Sequence, residues 1–275
     1  MTWRPADQSE PSVFSPEHLL REARRQKGLP DGRVPEVCAL DPDGDLVNFL
    51  RRSGRARAWP EWACYHTDLV AFDLADGTTA GVVGCAVGAP FAVLIAEQLF
   101  ASGCQLLVSI TSAGQIAMLE ALPCVVLIDR ALRDEGTSVH YLPPTTDVFV
   151  TAPNDSLITR VEVAVREALT MSAARRTPLY RGATWTTDAP YRETETAIVA
   201  ARSRGVLAVE MEAAALYAFA TLKRVPVVCF AHVTNTMGQR DGNEFEKGEE
   251  DGSVTALRVI TATARAYGSW AHVAV

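Results

Sequence analysis

From Pro35 onward, short apolar runs rich in β-branched residues alternate with stretches whose apolar positions recur at helical spacing. The runs predict strands at Glu36–Leu40, Cys64–Leu74, Thr79–Val87, Gln105–Thr111, Cys124–Asp129, Leu179–Thr187, Val206–Val209 and Val225–Thr234. The helical spacing predicts helices over Pro16–Gln26, Phe91–Ser102, Asn154–Thr170, Met211–Leu222 and Val254–Tyr267, with Gly103 stopping the second. Asp76-Gly77 between two β-type runs predicts a tight hairpin. Strands alternating with helices imply an α/β fold on a mixed, largely parallel central sheet. Residues 1–33 are polar and Arg-rich and read as an N-terminal arm. Residues 34–275 hold no internal repeat and no Pro/Gly/Ser linker, so they read as one α/β domain. Arg133–Ala152 and the acidic, Gly-rich Met237–Gly252 fit neither pattern. Each follows a predicted strand, where α/β sheets carry ligand loops, though both also read as solvated surface.

Composition narrows the class. Of 275 residues, 48% are hydrophobic and 33 acidic side chains outnumber 26 basic ones, for a net charge of −7. That balance argues against a nucleic-acid partner, which demands a basic footprint. No apolar run approaches the roughly 20 residues that span a bilayer, and the first residues lack a signal-peptide core. The six cysteines (38, 64, 85, 104, 124, 229) are scattered, without a C-x-x-C pair, as expected of buried apolar side chains in a cytoplasmic protein.

Familiar catalytic signatures are missing: G-x-S-x-G, H-E-x-x-H, a Walker loop and a dinucleotide glycine fingerprint. The five histidines show no metal-ligand spacing, so no metal is expected. Three other stretches carry chemistry. Ser109-Ile110-Thr111-Ser112-Ala113-Gly114 ends a strand in small hydroxyl residues, offering N–H groups and hydroxyls to an anion or a sugar. Glu210-Met211-Glu212 joins a strand to a helix, where a carboxylate either caps the helix or grips two sugar hydroxyls and favours positive charge on the ring. Thr184–Thr194 brings together hydroxyls, Trp185, Tyr191 and Arg192, suited to the face and carbonyls of a base, or to a capped loop before a helix.

Taken together, these stretches resemble the purine nucleoside/uridine phosphorylase and nucleosidase superfamily over roughly residues 35–270. Val209-Glu210-Met211-Glu212-Ala213-Ala214 is similar to its V-E-M-E-(A/S)-A ribose element, supported by Gly88-Ala89-Pro90, Ser112-Ala113-Gly114 and Thr186-Thr187-Asp188. The resemblance implies a sheet closing into a distorted barrel flanked by helices. It implies a homo-oligomer (a dimer or a hexamer of dimers) in which a neighbour helps close the site. It further implies that Glu210, Met211 and Glu212 bind ribose, with Glu212 on the 2′- and 3′-hydroxyls. Thr187, Asp188, Tyr191, Arg192 and His232 would meet the base, and Ser109, Thr111, Ser112 and His66 would border the nucleophile. Asn235 falls where purine-cleaving members carry an acidic Asp; uridine-cleaving members resemble this chain in having Asn.

The anion site departs from the phosphorylases. Leu40-Asp41-Pro42-Asp43-Gly44 stands where they show G-D-P-x-R, Ser109 replaces a second Arg, and the neighbour's Arg falls near His66. A buried phosphate needs such partners, whereas water needs none. Nucleosidases of the superfamily lack the second Arg as well, and their N-T-G-S-A-G turn is similar to residues 109–114. The expected activity is cleavage of a nucleoside's N-glycosidic bond, with hydrolysis favoured. The alternatives are a uridine-type phosphorylase with an altered phosphate site and a non-catalytic nucleoside-binding descendant. No cofactor is expected, with phosphate a co-substrate only in the phosphorylase case.

Overall fold

The computed structural model describes residues 10–143, 147–171, 176–236 and 247–274. Among the described residues ten strands form a single sheet: β1 (Val37–Asp41), β2 (Arg57–Ala58), β3 (Val70–Asp73), β4 (Thr79–Gly84), β5 (Leu106–Gln115), β6 (Cys124–Asp134), β7 (Phe149–Thr151), β8 (Leu179–Thr187), β9 (Val206–Glu210) and β10 (Val227–Thr236). Their order is β10-β6-β8-β9-β5-β1-β4-β3-β2, and β10 also pairs with β5. That extra pairing closes β10, β6, β8, β9 and β5 into a barrel, as the resemblance implied, and leaves β1, β4, β3 and β2 as a flap. Pairings of β1 with β4 and β5, of β5 with β10, and of β8 with β6 and β9 are parallel. Antiparallel pairs join β10 to β6 and β5 to β9, so the sheet is mixed.

Seven α-helices of the described residues flank it: α1 (Pro16–Lys27), α2 (Asp45–Arg52), α3 (Ala89–Ala101), α4 (Asp155–Thr170), α5 (Glu195–Ser203), α6 (Ala213–Lys223) and α7 (Ser253–Ala274). Helix α1 starts from the Ser15 hydroxyl, which accepts from His18 N, and buries Leu20 and Ala23. The arm residues therefore dock on the body through this helix. Helix α6 is buried from Ala213 through Ala220, which explains its near-continuous apolar run. The predicted hairpin joins β3 to β4: Gly77 takes φ 84°, and Leu74 N donates to Thr78 O.

Several boundaries differ from the sequence reading. Helix α2 is eight residues long and follows Asp-Pro-Asp-Gly, a string that reads as a turn; the Asp41 carboxylate and inward-facing Leu46, Val47 and Leu50 make it a helix. Helix α5 is held at its start by Thr194, whose hydroxyl accepts from Ala197 N. The run from Cys64 pairs only over Val70–Asp73, because Tyr65, His66 and Asp68 are exposed. Within Arg133–Ala152, β6 continues to Asp134 and β7 (Phe149–Thr151) adds an edge strand, so both ends of that expected loop are sheet.

The barrel seam depends on Tyr217, whose buried hydroxyl donates to Ile128 O of β6 at 2.6 Å and accepts from Cys229 N of β10 at 3.1 Å. Tyr217→Phe strands both backbone groups, so urea unfolding is expected to show a loss of about 1–3 kcal/mol.

Candidate active site

Strand β9 delivers two carboxylates to the start of α6, and the structure gives them different work. Glu210 is 3% exposed and fully engaged. Its Oε1 accepts from Thr184 Oγ1 (3.0 Å) and Thr186 Oγ1 (2.5 Å), and its Oε2 from Glu212 N (2.7 Å) and Ala213 N (2.8 Å). Thr186 Oγ1 also accepts from Ala214 N. Glu210 is thus the cap of α6, welded to β8, and has no lone pair left for a ribose hydroxyl. The ribose role expected of it is corrected to a supporting one.

Glu212 is 1% exposed. Its Oε1 accepts from Gly88 N at 2.7 Å and its Oε2 from Met211 N at 3.3 Å, and the Thr111 hydroxyl is bonded to the same carboxylate. Gly88 has φ 87° and ψ 151°, a region essentially reserved for glycine, which is why Gly-Ala-Pro precedes α3. Burial, and then the charge of Glu210, raise the Glu212 pKa well above the carboxylate range. Since so little of Glu212 meets solvent, a ribose reaches it only by exchanging one of these donors for its own hydroxyls.

The small residues expected to turn after Thr111 instead continue β5 to Gln115, and they lie beside an acidic cluster. Ser112 N donates to Asp43 Oδ2 at 3.0 Å. Asp41 accepts from Val47 N, tying down α2, and burial pushes its pKa up to about 6. Asp45 holds the Lys247 ammonium. A cleft of about 20 Å³ is bordered by Asp41, Asp43, Asp45, Thr111, Ser112, His232 and Asp251. Among the described residues, no group of His, Cys, Asp and Glu is arranged to hold a metal ion.

The remaining expected residues are dispersed. Ser109 is 1% exposed and lies inside the sheet between Leu40 and Cys229, away from the cleft, so its assignment beside the nucleophile is corrected. His232, expected at the base, instead borders the acidic cleft, and burial lowers its pKa to about 4. His66 is exposed, packs edge-on against Phe91, and lines a different cleft with Gly44, Arg51 and Cys85. Tyr191 is 99% exposed and Arg192 is exposed, so neither is gathered into a pocket by this chain alone. Asp188 accepts from Gly136 N, and Thr187 Oγ1 from Ala189 N, stitching the ends of β6 and β8 together. Asn235 is the last residue but one of β10, opposite Gly114 and just past a bulge, with Oδ1 3.5 Å from Thr234 Oγ1. Residues 237–246 of the expected base loop lie outside the described residues.

A family model for the phosphorylase superfamily matches residues 28–265. The chain belongs to that superfamily. Uridine phosphorylase from Vibrio fischeri ES114 superposes with a TM-score of 0.66 at 17% identity, over 84% of this chain and 93% of that one. The same Vibrio fischeri enzyme complexed with 6-hydroxy-1-naphthoic acid gives 0.63 at 18% identity, over 84% and 90%. No curated protein sequence matches the chain.

For a phosphorylase-superfamily member, the feature that sequence reading missed is Asp43. The stretch around it lacks the phosphorylases' Arg but carries carboxylates at 41, 43 and 45, and their every-other-residue spacing is the signal the sequence offers. Two substitutions separate the paired carboxylates. Glu210→Gln sets an amide NH₂ against donors and is expected to cost about 2 kcal/mol or more in urea unfolding at pH 7. Glu212→Gln is expected to change stability by less than about 1 kcal/mol or to raise it, because the site already favours a neutral carboxyl.

Proposed function

We propose that the protein hydrolyses the N-glycosidic bond of a nucleoside, with water rather than phosphate as the nucleophile. The observation that carries this reading is the Asp43 carboxylate bonded to Ser112 N. A backbone N–H that the neighbouring strand leaves unpaired is what an incoming anion would use. Here the chain's own anion takes it, and a phosphate alongside would meet roughly 1–4 kcal/mol of repulsion per unit charge at about 4 Å.

Glu212 holds the 2′- and 3′-hydroxyls and, once ionised, stabilises the positive charge that develops on the ribose as the bond to the base lengthens. The C1′–N electron pair leaves with the base, water oxygen bonds to C1′, and the water proton passes to Asp43 before reaching the departed base. Asn235 offers the base an amide and no acid. Thr187, Asp188, Tyr191 and Arg192 are read as one wall of the base site, completed in a homo-oligomer; exposed Val87 and Leu94 near the start of α3 favour such an interface. The reaction draws on no cofactor. No described helix is long and apolar enough to cross a membrane, consistent with the proposed cytoplasmic setting.

Lys247 favours a second reading, a phosphorylase with an altered site, since its ammonium lies on Asp45 at the edge of the cluster. A nucleoside panel assayed with and without phosphate separates the two. Free ribose at a phosphate-independent rate is expected; strictly phosphate-dependent formation of ribose 1-phosphate would establish the second reading, and binding without turnover a non-catalytic one. Asp43→Asn is expected to lower kcat by about 100-fold or more with KM little changed. The pH profile follows from Glu212. Its folded pKa is raised and its ionised form is the active one, so kcat/KM is expected to rise with pH through an apparent pKa well above 4.5. Glu212→Gln should abolish that limb together with most of the activity.

A further inference from the structure

A cavity of about 560 Å³ lies between α4 and α7, away from the carboxylates described above. On α4 it is lined by Ala164, Glu167, Ala168 and, just past the helix, Met171, which recur at i, i+3, i+4 and i+7. On α7 the lining positions Val254, Leu257, Arg258, Thr261, Ala262 and Arg265 keep the same spacing over three turns. Each set is therefore one helix face turned to the cavity. Phe49 of α2 and Leu74 of the β3–β4 hairpin complete the wall. Alanines at 164, 168 and 262 stand where larger side chains would fill the space. The volume falls within the roughly 300–1,000 Å³ of small-molecule sites. The cavity shares no lining residue with the acidic cleft beside Ser112, so it is independent of the hydrolytic reading.

The wall is largely apolar, yet it carries three arginines on a chain of net charge −7. Arg55 gives an N–H to Asp73 O at 3.4 Å, and Arg265 Nε stands 3.8 Å from Asp76 Oδ2. Arg258 is half-buried and, among the described residues, makes no hydrogen bond or ion pair. A guanidinium that has lost part of its water without gaining an acceptor is disfavoured, and an anion in the cavity relieves that cost. Two carboxylates share the wall. Asp73 is held by both arms of Arg57, at 2.7 and 2.8 Å, while Glu167 is exposed and stands alone against the three arginines. A single negative charge suits that balance; a phosphate dianion would double the repulsion from Glu167.

We propose that this cavity binds an amphiphilic monocarboxylic acid, with its carboxylate on Arg258 and its apolar body along Phe49, Leu74 and Leu257. A planar guanidinium matches a carboxylate with two parallel N–H···O bonds, and the apolar wall sets the length of the tail it accepts.

Decanoate is the probe, titrated calorimetrically into the full chain. One saturable site is expected, with butyrate (no apolar body) and decanol (no charge) each binding about tenfold or more weakly. Arg258→Leu, which keeps an apolar wall and removes the charge, is expected to raise the decanoate Kd about tenfold or more. Ala168→Trp, which fills the cavity, should remove binding. The comparison of the three ligands uses the wild-type chain alone, so it stands whether or not a variant folds. Absence of saturable decanoate binding, or decanol binding as tightly as decanoate, overturns the proposal. Unchanged affinity in a folded Arg258→Leu or Ala168→Trp chain places the acid elsewhere and overturns the site. A dimer in sedimentation that Ala168→Trp dissociates would give the cavity to a second copy, and equally overturns it.

Discussion

A backbone amide can serve one anion at a time. Within β5 that amide is Ser112 N, beyond the last pairing with β1 at Ser109, and it is bonded to Asp43 of the loop leaving β1. Strands β1 and β5 are parallel neighbours, β1 stops while β5 continues to Gln115, and a carboxylate two residues past β1 falls on the stretch of β5 that β1 leaves unpaired. The exclusion of phosphate proposed for this chain follows from that adjacency. Elsewhere in the cluster Asp41 anchors α2 and Asp45 holds Lys247, while Asp43 is bonded to Ser112 N, the position proposed for the nucleophile.

In the proposed reading, the fold makes one of the paired glutamates structural and keeps its neighbour for chemistry. Glu210 accepts from two threonine hydroxyls and two helix N–H groups, so its charge is absorbed by the junction of β8, β9 and α6. Glu212, two residues on, shares the burial but meets weaker compensation, and the charge of Glu210 raises its pKa further. A carboxyl held in that condition is primed to respond to positive charge forming nearby. The rigidity of Glu210 is what allows Glu212 to be strained electrostatically without the helix start giving way.

Sequence patterning carried the fold because its long elements are strongly periodic: the apolar strands of the barrel and helices α3, α4, α6 and α7 stand close to where the pattern set them. The short elements α2, α5 and β7 depend on contacts that no local pattern encodes, such as Asp41 bonding Val47 N. Within the candidate site, Glu212, Thr111 and Ser112 were legible from the strand–helix junction and the run of small residues. Glu210 was legible as important, but its role depends on Thr184 and Thr186 arriving from another strand. His232 looked the same from sequence whichever face of β10 it occupied; only pairing with Ser112, and the approach of Gly252, fixed its side of the sheet.

The central claim, that Asp43 occupies the position an attacking anion would need, is read most directly at the Ser112 amide itself. Its proton–nitrogen resonance, followed during titration with inorganic phosphate, is predicted to stay still in the wild-type chain and to shift once Asp43 is replaced by glycine. A saturable shift in the wild-type chain, at phosphate concentrations that leave other backbone amides unmoved, would contradict the account.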